Sequence, residues 1–235
     1  MKTVALALTC FLLLATSIVR ANDPARQLLL AANSPTARQL TRAAISQQAG
    51  AFLNEGQFEA GYLLLLSGQR VPVAGLRYHV GQRIVEVQDS LQADSTNFYP
   101  LAALRGFGLG SPDDSLAAWR HYRVRLVRQP HQSARPEAVQ LLTGSEAGPL
   151  LLASLPVLLP GTQTPASILL AGPGREPAQP LLPFDARDTS LRRLLGSRAQ
   201  QVADYARANN LYGCTPCNVA RMLDYYNQLL VVATR

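Results

Sequence analysis

Residues 58 to 90, FEAGYLLLLSGQRVPVAGLRYHVGQRIVEVQDS, place apolar positions in short runs separated by small polar pairs. Ser67-Gly68, Ala74-Gly75 and Gly81-Gln82 are the breaks, and runs of this length between turn residues predict a meander of antiparallel strands. In LRYHV, Leu76, Tyr78 and Val80 share one face of a strand, and Arg77 and His79 share the other. RIVEVQD opposes Val85 and Val87 to Ile84 and Glu86. HYRVRLV turns Tyr122, Val124 and Leu126 inward and leaves His121, Arg123 and Arg125 facing out. RQPHQSARPE, residues 128 to 137, reads as a proline-bearing surface linker. AVQLLTGSEAGPLLLAS predicts a hairpin about its Gly-Ser-Glu-Ala-Gly turn, and PASILLAG and QPLLPFD predict further short strands on either side of GPGREPA.

From Asp188 the period changes to that of a helix. Leu191, Leu194, Leu195, Val202 and Tyr205 form an apolar stripe broken by Gly196, and Val219, Met222, Leu223 and Tyr226 form another in NVARMLDYYNQL. Near the other end, Ser34-Pro35 starts a short helix running to about Gln48, with a hydroxyl cap and proline in the first turn. Ser111-Pro112-Asp113-Asp114 has the same form. The predicted fold is therefore α+β. A partly flexible arm with one short helix, residues 22–57, precedes an antiparallel β-rich body, residues 58–187. A small C-terminal helical hairpin follows over residues 188–229.

Residues 1–21 form a separate unit: a basic start at Lys2, an apolar run from Thr3 to Val19, and small residues spaced for signal cleavage after Ala21. Cys10 lies inside the apolar run, without the small residue that should precede a lipidated cysteine. The pattern predicts export to the periplasm, the outer membrane or the exterior, with 214 residues left of 235. No later segment has transmembrane length, because GPLLLASLPVLLPG is interrupted by Pro156 and closed by Pro160 and reads as buried strands. The formal charge of +7 falls by two, to +5, when Lys2 and Arg20 leave with the leader. Lys2 is the only lysine, and the arginines are dispersed rather than gathered in a footprint, which argues against nucleic-acid binding.

Candidate chemistry is sparse. Cys214-Thr215-Pro216-Cys217 puts a C-x-x-C at the head of a helix, where the dipole would favour a thiolate on Cys214 with Cys217 as resolving thiol. In an oxidising compartment the same pair also fits a local structural disulfide or two unpaired thiols. The three histidines, His79, His121 and His131, are scattered and read as exposed, so no metal site is expected. Neither Ser67-Gly68 nor Gly144-Ser145-Glu146 completes G-x-S-x-G. GFGLGS, residues 106 to 111, lacks the spacing of a dinucleotide loop and reads as a turn. Asp113 and Asp114, like Asp185 and Asp188, read as capping and turn acids. The residue types predict no cofactor. The candidates for a ligand-binding sheet face are Tyr62, Tyr78, Trp119 and Tyr122, with core packing as the competing reading.

GYLLLLSGQRVPVAGLRYHVGQRIVEVQ, WRHYRVRLV and the terminal LRRLLGSRAQQVADYARANNL with DYYNQL together resemble a group of uncharacterised exported proteins of the Bacteroidota type. Those proteins carry a GY-x-x-L-x-x-G strand and turn, an L-R-Y-N strand and a C-terminal helix pair ending in YYN. The matching residues are Gly61, Tyr62 and Gly68, then Leu76, Arg77 and Tyr78, then Tyr225, Tyr226 and Asn227. His79 stands where the group more often has asparagine, and the cysteine pair is not part of its pattern. The resemblance implies an exported cell-envelope protein with no assigned activity. The expected function is a non-enzymatic structural or partner-binding module whose partner is an envelope protein or a glycan. The alternative is a periplasmic thiol-disulfide protein using Cys214 and Cys217.

Overall fold

The computed structural model describes residues 27, 30–47, 51–53, 56–88, 96–110, 119–162, 164–213 and 215–233. The expected signal sequence with its cleavage at Ala21, the expected helix start at Ser111-Pro112-Asp113-Asp114 and Cys214 lie outside these residues. The meander forms strands β1 (Glu59–Leu65), β2 (Arg70–His79), β3 (Ile84–Gln88) and β4 (Thr96–Pro100). A 3-10 turn, Leu101–Ala103, leads into β5 (Leu104–Leu109). Then come β6 (Arg120–Val127), β7 (Arg135–Leu141), β8 (Leu150–Val157), β9 (Ala166–Pro173) and β10 (Leu182–Pro183). All ten form one antiparallel sheet in the order β10-β9-β8-β7-β6-β5-β1-β2-β3-β4. The described helices are α1 (Pro35–Ser46), α2 (Asp188–Leu195), α3 (Ala199–Ala208) and α4 (Pro216–Ala233).

Ala74-Gly75, expected as a turn, lies inside β2. The register slips there: Gly61 faces Val73, but Glu59 faces Leu76, so β2 carries one extra residue opposite β1. The bulge has a clear use. Val71 and Val73 are out of phase with Leu76 and Tyr78, and one added residue returns all four to the same face. Val71, Val73, Leu76 and Tyr78 all belong to the largest core, with Leu63, Val85, Val87, Phe107 and Tyr122.

Both faces of the sheet are covered. On β6 and β7, Tyr122, Val124 and Ala138 enter that first core, while Val127 and Val139, of opposite parity, enter a second on the other face. The second core is completed by Leu151, Ala153, Leu155, Leu170 and Leu181. Leu181 closes it: its amide donates to the Leu126 carbonyl at 2.8 Å, and its carbonyl accepts from the Arg128 amide at 2.9 Å. The segment entering β10 thus touches β6 as well as β9, and this end of the sheet curls back on itself. Beyond β7, the first face is covered by the C-terminal helices, with Leu191, Val202, Val219 and Leu223 against Leu152 and Ala171. Tyr205 of α3 stacks on Tyr225 of α4 at 4.0 Å.

Two asparagine side chains act as extra strand residues. Asn227 of α4 bonds both backbone groups of Leu150, its Oδ1 accepting at 2.9 Å and its Nδ2 donating at 2.8 Å. Asn33 does the same for Phe98 on the edge strand β4. Ser34 caps α1 as expected, and the helix ends at Ser46 rather than Gln48. Gly196, at a φ of 56°, terminates α2 where the stripe breaks.

Several outward positions are in fact buried. His79 is fully buried beneath the segment that precedes β1, with its ring edge-on to Phe52 at 4.8 Å and its Nδ1 accepting from the Gln82 amide at 3.0 Å. Arg77 lies between Phe52 and Phe58 and pairs with buried Glu86 at 2.7 Å. Pro156 does not interrupt β8. It sits opposite Ser167 of β9, where β8 has no paired residue on its β7 side, so a missing amide hydrogen costs no ladder bond there. The linker, too, is shorter than expected, because β7 begins at Arg135 and extends through Glu137.

Tyr78 and Tyr122 flank Phe107 in the first core, at 5.2 and 4.7 Å between ring centroids. Burial pushes the Tyr122 phenol up to about 12, with Arg120 opposing and Glu59 adding to the shift. Tyr78 is raised as well, first by burial and then by Glu137. A raised folded pKa means that stability is complete below the unfolded value of 10.0 and is lost as the unfolded chain ionises first. Unfolding free energy should therefore fall by about 3 kcal/mol or more between about pH 10 and 12. Tyrosinate absorbance from these two rings should appear only with denaturation.

Candidate functional site

Strand β5 brings the described chemistry together. Its GFGLG run alternates like a strand rather than looping: Phe107 and Leu109 enter the first core, leaving Gly106, Gly108 and Gly110 on the opposite face. Two rings occupy the space this bare stripe leaves. A β-carbon on Gly108 would come within 2.2 Å of the Tyr62 ring, and one on Gly110 within 2.6 Å of the Trp119 ring. The rings stack on each other at 5.7 Å and 22°.

Polar groups surround the pair. Tyr62 Oη and His121 Nδ1 are hydrogen-bonded at 2.8 Å, with His121 placed directly across from Gly108 by the β5–β6 register. Arg123 donates to Tyr62 Oη from Nη1 at 3.5 Å and to Glu146 from Nε at 2.5 Å. The Arg70 guanidinium lies 5.0 Å from the Tyr62 ring centre, and Arg120 pairs with Glu59. The Trp119 indole nitrogen is buried and has no hydrogen-bond partner among the described residues.

Farther along the same face, Arg125 is buried and aims at the turn after β9, donating to the Pro173 carbonyl at 2.7 Å and the Gly174 carbonyl at 3.3 Å. Burial lowers its pKa, and the Glu146 carboxylate works against that shift. The loops there touch closely. A β-carbon on Gly174 would lie 2.3 Å from the Gly148 carbonyl oxygen, so only glycine fits.

The four aromatic candidates thus separate. Tyr62 and Trp119 meet on the polar strip, where Tyr62 is buried and Trp119 is half-buried, whereas Tyr78 and Tyr122 are core residues on the opposite face; of the four, Trp119 alone offers ring surface to a ligand. His121, Arg123 and Glu146 complete the strip, and the alternation of glycines in GFGLG was the sequence signal for it. His131 is exposed, at a left-handed φ of 61°. Cys217 is exposed and unbonded in the first turn of α4.

A groove of about 650 Å³ runs between the β7–β8 turn and α4, walled by Gly144, Ala147, Gly148, Asp224 and Val231. Asp224 accepts from the Gly144 amide through both carboxylate oxygens, at 3.0 and 3.1 Å. Burial raises its pKa, and that amide opposes the rise. Among the described residues, no three His, Cys, Asp or Glu side chains are grouped to hold a metal, and no helix is long and apolar enough to cross a membrane. The chain matches no protein-family model, no curated protein and no solved structure.

The strip sets the half-buried Trp119 ring beside an imidazole and guanidinium groups, an arrangement able to stack a ring and bond its hydroxyls. Gly108→Ala should displace Tyr62, cost about 2 kcal/mol by overpacking and weaken the near-ultraviolet circular dichroism of Trp119. A variant with wild-type stability and spectrum would show that the rings do not rest on the glycine stripe.

Proposed function

We propose that the protein is exported to the cell envelope and acts there as a non-enzymatic binding module, with the Tyr62–Trp119 strip as its contact surface. Its partner is an envelope component, and a glycan suits the strip best. The proposal includes membership of the group of exported Bacteroidota-type proteins and a hairpin arrangement of the C-terminal helices. The observation that carries it is the stacked ring pair over Gly108 and Gly110, edged by His121, Arg70 and Arg123. The leader-like residues 1–21 support the location, and the strip supports binding: one ring face to stack on, forked donors for hydroxyl or carboxylate oxygens, and Trp119 only partly buried.

The test is binding of residues 22–235 to immobilised envelope glycans, including peptidoglycan fragments. Trp119→Ala should weaken binding by about tenfold or more at unchanged thermal stability, and Trp119→Phe should restore part of it. No binding, or binding indifferent to Trp119, would overturn the contact surface. Saturable turnover of a thiol, ester or glycoside substrate would overturn the non-enzymatic reading.

A second reading rests on the exposed, unbonded Cys217 at the start of α4: a thiol-disulfide protein in which Cys214 attacks and Cys217 resolves. Disulfide exchange that is the same in wild type and Cys217→Ser would dispose of it.

A further inference from the structure

Strands β7 and β8 are joined by only two residue pairs, Gln140 with Ser154 and Leu141 with Ala153. By contrast, β6 and β7 pair over six residues and β8 and β9 over eight. Beyond Gln140 and Ser154 the two strands part, and the seam opens into a cavity of about 380 Å³, within the size range of small-molecule sites. Glu137, at 7 % exposure, sits in this opening between two arginines, 2.6 Å from Arg135 Nε and 3.5 Å from Arg83 Nε.

In both ion pairs the closest approach is through Nε, and neither arginine's terminal nitrogens form a hydrogen bond to a described residue. Two guanidinium groups against one carboxylate leave a surplus positive charge, and both forks border the cavity. Arg83 also holds a left-handed φ of 55°, a conformation that glycine would adopt without strain. Gln129 and Gln132 line the cavity with them, and Val80, Leu155 and Ile168 supply aliphatic wall.

We propose that this seam is a second binding site, separate from the aromatic strip, for a small monocarboxylate with an aliphatic tail. The carboxylate lies on the outer forks of Arg83 and Arg135, and the tail lies against Val80, Leu155 and Ile168. Glu137 competes with the ligand for the two arginines and is not itself a ligand contact.

Isothermal titration of the full-length mature chain with octanoate tests this, using octanol as the uncharged control and acetate as the tailless one. Octanoate should bind with submillimolar affinity, and both controls should be weaker by about tenfold or more. Arg135→Gln and Arg83→Gln should each weaken octanoate by about tenfold. Glu137→Gln, which removes the competing carboxylate, should bind it at least as tightly as wild type, which separates loss of the forks from collapse of the seam. The proposal fails if octanoate does not bind at millimolar concentration, if octanol binds equally well, or if the arginine variants bind normally. It also fails if Glu137→Gln loses as much as Arg135→Gln.

Discussion

A guanidinium taken out of water must be given acceptors, and strand β6 buries one and half-buries another. Its sequence RHYRVRLV gives one face Tyr122 and Val124 for the first core and the other face Arg123 and Arg125. Leaving both arginines unpaired would cost several kcal/mol each. Glu146 reaches back from the β7–β8 turn to Arg123, and the carbonyls of Pro173 and Gly174 fold over Arg125. These contacts draw both turns across the second face. With the β9–β10 turn held there, Leu181 lies between β6 and β10, and the second core becomes an interior rather than an open surface.

The candidate sites occupy what this arrangement leaves. Toward β4 the second face is covered by α1 and the segment with Phe52, and toward β10 it is closed by Leu181. Between them lies the strip of Tyr62, Trp119, His121 and Arg123, seated on a strand whose side chains are missing on that side. Where β7 and β8 separate, the same sheet opens into the seam about Glu137. One site arises from glycines that remove side chains, and the other from strand pairing that stops early.

Local periodicity made the strands legible, including the hairpin about Gly144-Ser145-Glu146 and the helices after Asp188. It also identified the core face of Tyr122 and Leu76 correctly. The opposite face was misread because alternation within a strand shows that two faces differ, not whether distant chain covers the polar one. His79 and Arg125 are polar in sequence and buried in the fold through residues 51–53 and 173–176, far away along the chain. Ala74-Gly75 and GFGLG carry turn chemistry, yet glycine serves equally to admit a bulge or make room for a ring. The pairing of Tyr62 with Trp119 depends on β1 crossing to β5 past three intervening strands, a long-range step that no local pattern encodes.

The partners of buried Arg125 and half-buried Arg123 hold the sheet closed. Amide hydrogen exchange at Leu181 and Arg128, compared between wild type and Arg125→Met, measures this directly. Both amides should be protected in the wild-type protein to the level of the core strands, and Arg125→Met should release them while Phe107 and Val85 stay protected. Rapid exchange at Leu181 in the wild type, or equal protection in both proteins, would contradict it.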